Sequence, residues 1–385
     1  MSFVEHLIIG GGISGCAMAR HLAKYQLDFK LIEAQANLGG RIQSTPQGLD
    51  LGPTWYWPHQ HSVKALLSEL QLDTFDQYTQ GDYVYQQAHN TEISRGRDAQ
   101  SMLSHRVVGG MGTIINALSK TIPADNILLN CPVTHITKQD ELWQVILSHG
   151  DTLICKHLWL AMPPRKVAQL FKPALNQTVI NQAVLSTALI SHLQDQQTWM
   201  SAQAKFVAEY ETPFWRDSGL SGQGFSQVGP MVEINDASAI ENESESESES
   251  TSASASASAS VCLSDNTSPA ALFGFIGVPA LSRKTIDQQQ IINACIAQLG
   301  KLFGEAALNP ISTHYIDWAN SEYISTSADI NEPSQHAHFD QARFKAELNR
   351  LNLGLIGSEF SQTEPGYIAG ALDHVNDQAA KIKNN

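Results

Sequence analysis

Phe3-Val-Glu-His-Leu-Ile-Ile9-Gly10-Gly-Gly12-Ile-Ser14-Gly15 carries the reading from which the fold follows. The apolar run ending at Ile9 has the composition of a strand buried on both faces. Gly10 permits a tight turn after it, Gly12 lets the backbone approach a pyrophosphate, and Gly15 lets the next helix pack closely on the strand. Ile13–Lys24 repeats apolar side chains at helical spacing through Ile13, Cys16, Ala17, Ala19, Leu22 and Ala23. Its N-terminus, with Ser14 in the first turn, offers unpaired N–H groups and a positive dipole end to phosphate. Phe29-Lys-Leu-Ile32 reads as a second strand, and Glu33 stands at its end, 23 residues after Gly10. A carboxylate there accepts hydrogen bonds from the ribose hydroxyls of an adenine dinucleotide. The spacing predicts a Rossmann-like start to an α/β chain. Taken alone, it does not separate NAD from FAD.

Composition sets the outer bounds. The chain has 385 residues, 42% of them apolar, enough for two or three domains at about 150 residues each. Acidic residues outnumber basic ones 38 to 24, for a net charge of −14. That balance argues against nucleic acid or an anionic membrane as partner and slightly favours cationic small molecules. The five cysteines are widely spaced and form no C-x-x-C, which argues against a disulfide framework or a zinc site and for reduced thiols in the cytoplasm. Phe3–Ile9 is too short for the apolar core of a signal peptide and has no basic segment before it. Ala270–Leu281 is the nearest approach to a membrane span, and Gly274, Gly277 and Pro279 interrupt it. A soluble cytoplasmic protein is expected. His59-Gln-His61 could bind a metal, but with a dinucleotide cofactor carrying the chemistry none is expected.

Farther along, Val63–Leu72 (capped by Ser62), Met111–Lys120, Val179–Leu193, Ile286–Phe303 and Tyr367–Ile382 read as helices. Asp82–Tyr85, Val133–Thr137, Leu142–Leu147, Leu153–Cys155, His157–Ala161, Lys205–Tyr210, Phe225–Ile234, Ala271–Gly277, Ile311–Trp318 and Leu355–Gly357 read as strands. Phe206, Tyr210, Phe214 and Trp215 are read as core. Glu243–Ser260 alternates Glu with Ser and then Ser with Ala. It has nothing to bury against the entropy of ordering, so it reads as a disordered loop between two strands.

Several stretches then point one way. Leu38-Gly39-Gly40-Arg41 follows Glu33 closely. Asp50-Leu-Gly52-Pro53-Thr54-Trp55, Val108-Gly-Gly-Met-Gly112, and Ile356-Gly-Ser-Glu359 with Pro365-Gly-Tyr367-Ile-Ala-Gly370 come after it. Together these resemble the flavin-containing amine oxidases, in their bacterial soluble branch, over nearly the whole chain. The resemblance implies an extended FAD, with Arg41 near a phosphate, Gly52–Thr54 beside the isoalloxazine, the Val133 backbone near the adenine and Glu359 near the ribityl–pyrophosphate. Thr198-Trp-Met200 through Lys205, then Pro213-Phe-Trp-Arg216, resembles the family's segment holding a lysine near flavin N5, and the matching position is Lys205. A cation there stabilises charge developing on reduced oxygen. Asp317-Trp318 resembles the family's tryptophan beside the flavin. Nine residues on, where some members attach FAD through cysteine, stands Ser327, so non-covalent FAD is expected. One wall of the family's aromatic cage matches Tyr367, while the other position is Ala328; Trp55, Tyr56 or Trp57 could take its place. A long helical insertion is missing before Gly109, so the substrate cavity should be shallower or roofed differently.

The implied reaction is oxidation of a primary or secondary amine to an imine and then an aldehyde, with O₂ reduced to H₂O₂. Lys205 would serve the oxygen step and Tyr367 would orient the amine. Two alternatives stay open: an FAD dehydrogenase or desaturase on a non-amine substrate, and a non-catalytic FAD-binding scaffold. The expected architecture is a discontinuous FAD-binding domain (1–74, 105–164 and 331–385) with a substrate domain (75–104 and 165–330) on an antiparallel sheet plus helices. The amine's identity and the oligomeric state are not legible.

Overall fold

Two seven-stranded sheets organise the chain, with helices packed on both. The computed structural model describes residues 2–89, 92–97, 103–171, 184–238 and 270–383, so the Glu-Ser and Ser-Ala tract at 243–260 lies outside the described residues. In the first sheet, β1 (Ser2–Ile9) runs parallel to β2 (Phe29–Ile32) on one side and to Thr152–Leu160 on the other. That central place explains its apolar run, since Leu7 and Ile8 are wholly buried. Ile127–Leu128 extends the sheet beyond β2, Leu142–Leu147 and Val133–Gln139 close the other edge antiparallel, and Leu353–Leu355 pairs with the end of Thr152–Leu160. One face is covered by α1 (Ile13–Lys24) with the helices Gly112–Lys120 and Ile368–Lys383. The other is covered by Pro164–Leu170, Thr187–Asp195 and Gln341–Leu351. The fold is α/β with a Rossmann-like beginning.

The second sheet runs in the order Ser312–Asp317, Ala204–Tyr210, Ala270–Ile276, Met231–Asp236, Leu220–Ser226, Asp82–Gln86, Ile93–Gly96. All its pairs are antiparallel except the one between Leu220–Ser226 and Asp82–Gln86. The helix Gln288–Phe303, whose N-cap Asp287 accepts from the backbone N–H of Gln289 and Gln290, packs on one face through Ile291, Cys295, Leu299 and Phe303. Phe206, Tyr210 and Trp215 are buried on that face, with Phe214 packed beside them. The opposite face looks toward Leu49–Trp55.

Some local expectations are corrected. Phe225–Ile234 is two strands joined by a turn at 227–230, where Gly229 has φ +98 and the Ser226 hydroxyl donates to the Val228 carbonyl. Leu153–Cys155 and His157–Ala161 are one nine-residue strand, kept continuous by β1 along its length. Ser62 caps nothing: it lies inside the helix His61–Glu69 and its hydroxyl reaches the Ala369 carbonyl. The helix expected over Val179–Leu193 starts at Thr187, because the Ser186 Oγ accepts from Leu189 N; residues 172–183 lie outside the description. The expected short strand Leu355–Gly357 is found at Leu353–Leu355.

Candidate active site

A cavity of about 960 Å³ runs from the N-terminus of α1 to the second sheet. At its first end, Gly10 turns with φ +105, and a Cβ at Gly15 would fall 1.9 Å from the Gly10 carbonyl oxygen. Gly15 therefore holds helix to turn without reaching the cavity. A Cβ at Gly12 would meet no atom closer than 3.9 Å, so this side of the turn is open. Gly10, Gly12 and Ser14 line the cavity there. Gly12 caps α1 with no side-chain bond, and no acidic residue occupies the first turn. The free N–H groups and the dipole accordingly face open space, which suits an anion. Glu33 also lines the cavity, its Oε2 accepting from Gly11 N (2.7 Å) and its Oε1 from Gln35 N (2.9 Å). Val133 lines it too, as do Lys166 and Gln169 of the helix Pro164–Leu170. This end is long, glycine-walled and set for a pyrophosphate between a carboxylate and a helix start. The residues present fit FAD.

Arg41 and Glu359 join the two halves of the sequence. The guanidinium donates to both Glu359 oxygens, at 2.7 and 3.0 Å, and to the Ser358 hydroxyl and the Trp199 carbonyl. The Glu359 side chain is 1% exposed. Burial alone would raise its carboxyl pKa. Arg41 and the Ser358 hydroxyl outweigh that and hold it below the usual range. Gly40, beside Arg41, has φ +58 and lies against the Gly12 backbone.

Lys205 stands where the cavity meets the second sheet. It is 2% exposed. Its Nζ donates to Thr54 Oγ1 (2.6 Å) and the Gly52 carbonyl (3.1 Å), and it sits 4.1 Å from the centre of the Phe273 ring. Burial pushes the ammonium down from 10.5 to about 7; Asp50 opposes this and Arg106 adds to it. Asp50 is buried too, with one oxygen held by Ser44 and Met111 N, and burial raises its pKa. Its Oδ2 has no hydrogen-bond partner among the described residues. The Lys205 ammonium is therefore poised to hold or release a proton near neutral pH. Gly52, Pro53, Thr54 and Trp318 line the cavity around it.

Tyr367 enters at the start of the last helix. It meets Trp57 edge-on at 5.7 Å and stacks on His336 at 5.3 Å; His336 in turn lies 3.7 Å from Trp199. Ala328 sits on the short helix Ser327–Asn331, and neither it nor Ser327 lines the cavity. Of the three aromatics considered beside Tyr367, Trp57 contacts it, Trp55 packs on Phe273 and Phe275, and Tyr56 packs on His105 in the core. Trp199, His336, Lys166 and Glu233 were not among the expected site residues. Only Trp199 had a local signal, in the Thr-Trp-Met stretch.

Comparison with known proteins agrees with this geometry. Residues 88–382 match the family of flavin containing amine oxidoreductases, and residues 8–70 match an NAD(P)-binding Rossmann-like domain. An L-amino acid dehydrogenase of Synechocystis is 21% identical, covering 99% of this chain and 94% of its own. A putrescine oxidase of Kocuria rosea is 21% identical over 82% of each. A solved putrescine oxidase with putrescine bound superposes with a TM-score of 0.77 at 19% identity, covering 100% of this chain and 99% of that one. The chain belongs to the flavin-containing amine oxidoreductase family and is an FAD-dependent oxidoreductase acting on amines.

Proposed function

We propose that the protein oxidises a primary or secondary amine at its α-carbon and passes the electrons to O₂. For a primary amine the balance is amine, O₂ and water giving aldehyde, ammonia and H₂O₂. The flavin, held without a covalent bond, supplies the two-electron acceptor. Tyr367 and Trp57 form an aromatic corner that orients the neutral amine and keeps water away from its lone pair. Gly10, Gly12, Ser14 and Glu33 hold the adenosine and pyrophosphate end, Arg41 and Glu359 the middle, and Gly52–Thr54 with Trp318 the ring end. The observation that carries the reading is Lys205: a buried ammonium, hydrogen-bonded to the Gly52–Thr54 segment and titrating near neutrality. Its charge stabilises the anion formed as oxygen is reduced.

The test is direct. The purified protein should be yellow and should release free flavin on acid precipitation, since Ser327 cannot form a thioether. Anaerobic addition of amines should bleach it, and air should restore the colour with one peroxide per amine. Bleaching without peroxide, but with reduction of an artificial dye, would favour a dehydrogenase. No bleaching by any amine would refute the reading.

A further inference from the structure

The register of the second sheet puts an uncommitted carboxylate in line with Lys205. Phe275 pairs with Lys205 on one side and with Glu233 on the other. Directly paired residues point to the same face of a sheet. Lys205, Phe275 and Glu233 therefore form one row, with Val207, Phe273 and Asn235 in the next row of the same face. Phe206, Leu272 and Ile234 belong to the other face, under the helix Gln288–Phe303. Strands lie about 4.8 Å apart, so the Lys205 and Glu233 backbones are about 10 Å apart with an aromatic ring between them. Glu233, Asn235 and Phe275 all line the cavity.

Glu233 differs from the other acids there. Its Oε1 accepts from Asn235 Nδ2 at 3.1 Å, its one polar partner among the described residues. Asp236, close by, is fully engaged by Trp215 Nε1, Arg216 Nε and Ser238 N. The basic residues lining the cavity are placed elsewhere: Arg41 is bound to Glu359, Lys166 sits on the helix Pro164–Leu170 over the first sheet, and Lys205 is turned to Thr54. Between Lys205 and Glu233 the wall is apolar, with Trp55 stacked over Phe275 at 6.2 Å. A carboxylate at the end of an apolar passage, without a cation of its own, suits a ligand that brings one.

Building on the proposed amine oxidation, we infer that Glu233 selects amines carrying a second cationic nitrogen across a short aliphatic chain, binding the distal ammonium while the proximal nitrogen lies near Tyr367. Kinetics of the holoenzyme with 1,4-diaminobutane and with n-butylamine test this, in wild type and Glu233→Gln. Wild type should prefer the diamine. The variant should raise its KM about 10- to 100-fold, the worth of one charge-assisted hydrogen bond, while kcat/KM for n-butylamine changes less than about 2-fold and certifies the fold. Calorimetric titration of 1,4-diaminobutane into dithionite-reduced holoenzyme reads binding without turnover and should weaken by the same factor. Equal use of the two amines by wild type, or an unchanged diamine affinity in the variant, overturns the inference and leaves amine oxidation standing. If no amine bleaches the flavin, the proposed function fails, and calorimetry still decides whether Glu233 holds a diamine: a Glu233-dependent affinity supports it, and no binding overturns it.

Discussion

Replacing Lys205 by methionine should change how stability depends on pH. In the folded chain the ammonium titrates at about 7, pushed down mainly by burial; in the unfolded chain it titrates near 10.5. Between those values the unfolded chain keeps a proton that the folded chain has shed. Stability therefore rises with pH across that window. At 1.36 kcal/mol per pKa unit, the gain between pH 7 and pH 9 from this one group is about 2 kcal/mol. Lys205→Met has no such proton to shed. Urea unfolding of both proteins at the same FAD concentration, so that ligand linkage is common to both, should show wild type gaining about 2 kcal/mol on the variant from pH 7 to pH 9. Groups remote from Lys205 cancel in the difference; Asp50, which the ammonium holds down, rises further in the variant and widens the gap in the same direction. A gap between the two proteins that stays constant from pH 6 to pH 9.5 would refute the argument, because it would mean the lysine keeps its solution pKa where it lies.

Three further outcomes are expected. In stopped flow, Lys205→Met should slow reoxidation by O₂ about 100-fold or more while slowing anaerobic reduction far less; equal slowing of both steps would remove its assigned role. Arg41→Ala leaves Glu359 buried and unpaired, so it should cost about 3–5 kcal/mol and lower the flavin content of the purified protein, read by melting and by the ratio of flavin to protein absorbance. Gly15→Ala would place a methyl 1.9 Å from the Gly10 carbonyl, so the helix must shift and FAD retention should fall sharply, although the residue touches no cavity; full retention would show that the turn can yield there.

Local patterns were readable in the sequence, whereas long-range pairing was not. The first strand, the glycine turn, α1 and Glu33 lie within 33 residues, and each signals its conformation through spacing or glycine placement. Lys205 could be placed only by the family-like segments around it, because a lone lysine in a strand has no local mark of burial. Ser62 was misread because a serine at a helix start resembles a cap until its hydroxyl is seen reaching Ala369. Glu233 was invisible for a deeper reason. Its part depends on which residue of Ala270–Ile276 it faces, and register is a property of the assembled sheet. The turn at 227–230 hid it further, since two strands read as one give the wrong alternation of faces.

The clasp between Arg41 and Glu359 spans 318 positions of the chain. At about 5–20 residues per second, a ribosome needs something like a quarter of a minute to a minute to make that stretch. All that while the arginine waits without its acid, and the last helix, whose Ile368 lines the cavity, has not been made. With FAD placed as proposed, its capture waits for the segment that carries Glu359, and a nascent polypeptide stalled before residue 359 should emerge colourless however much riboflavin derivative surrounds it.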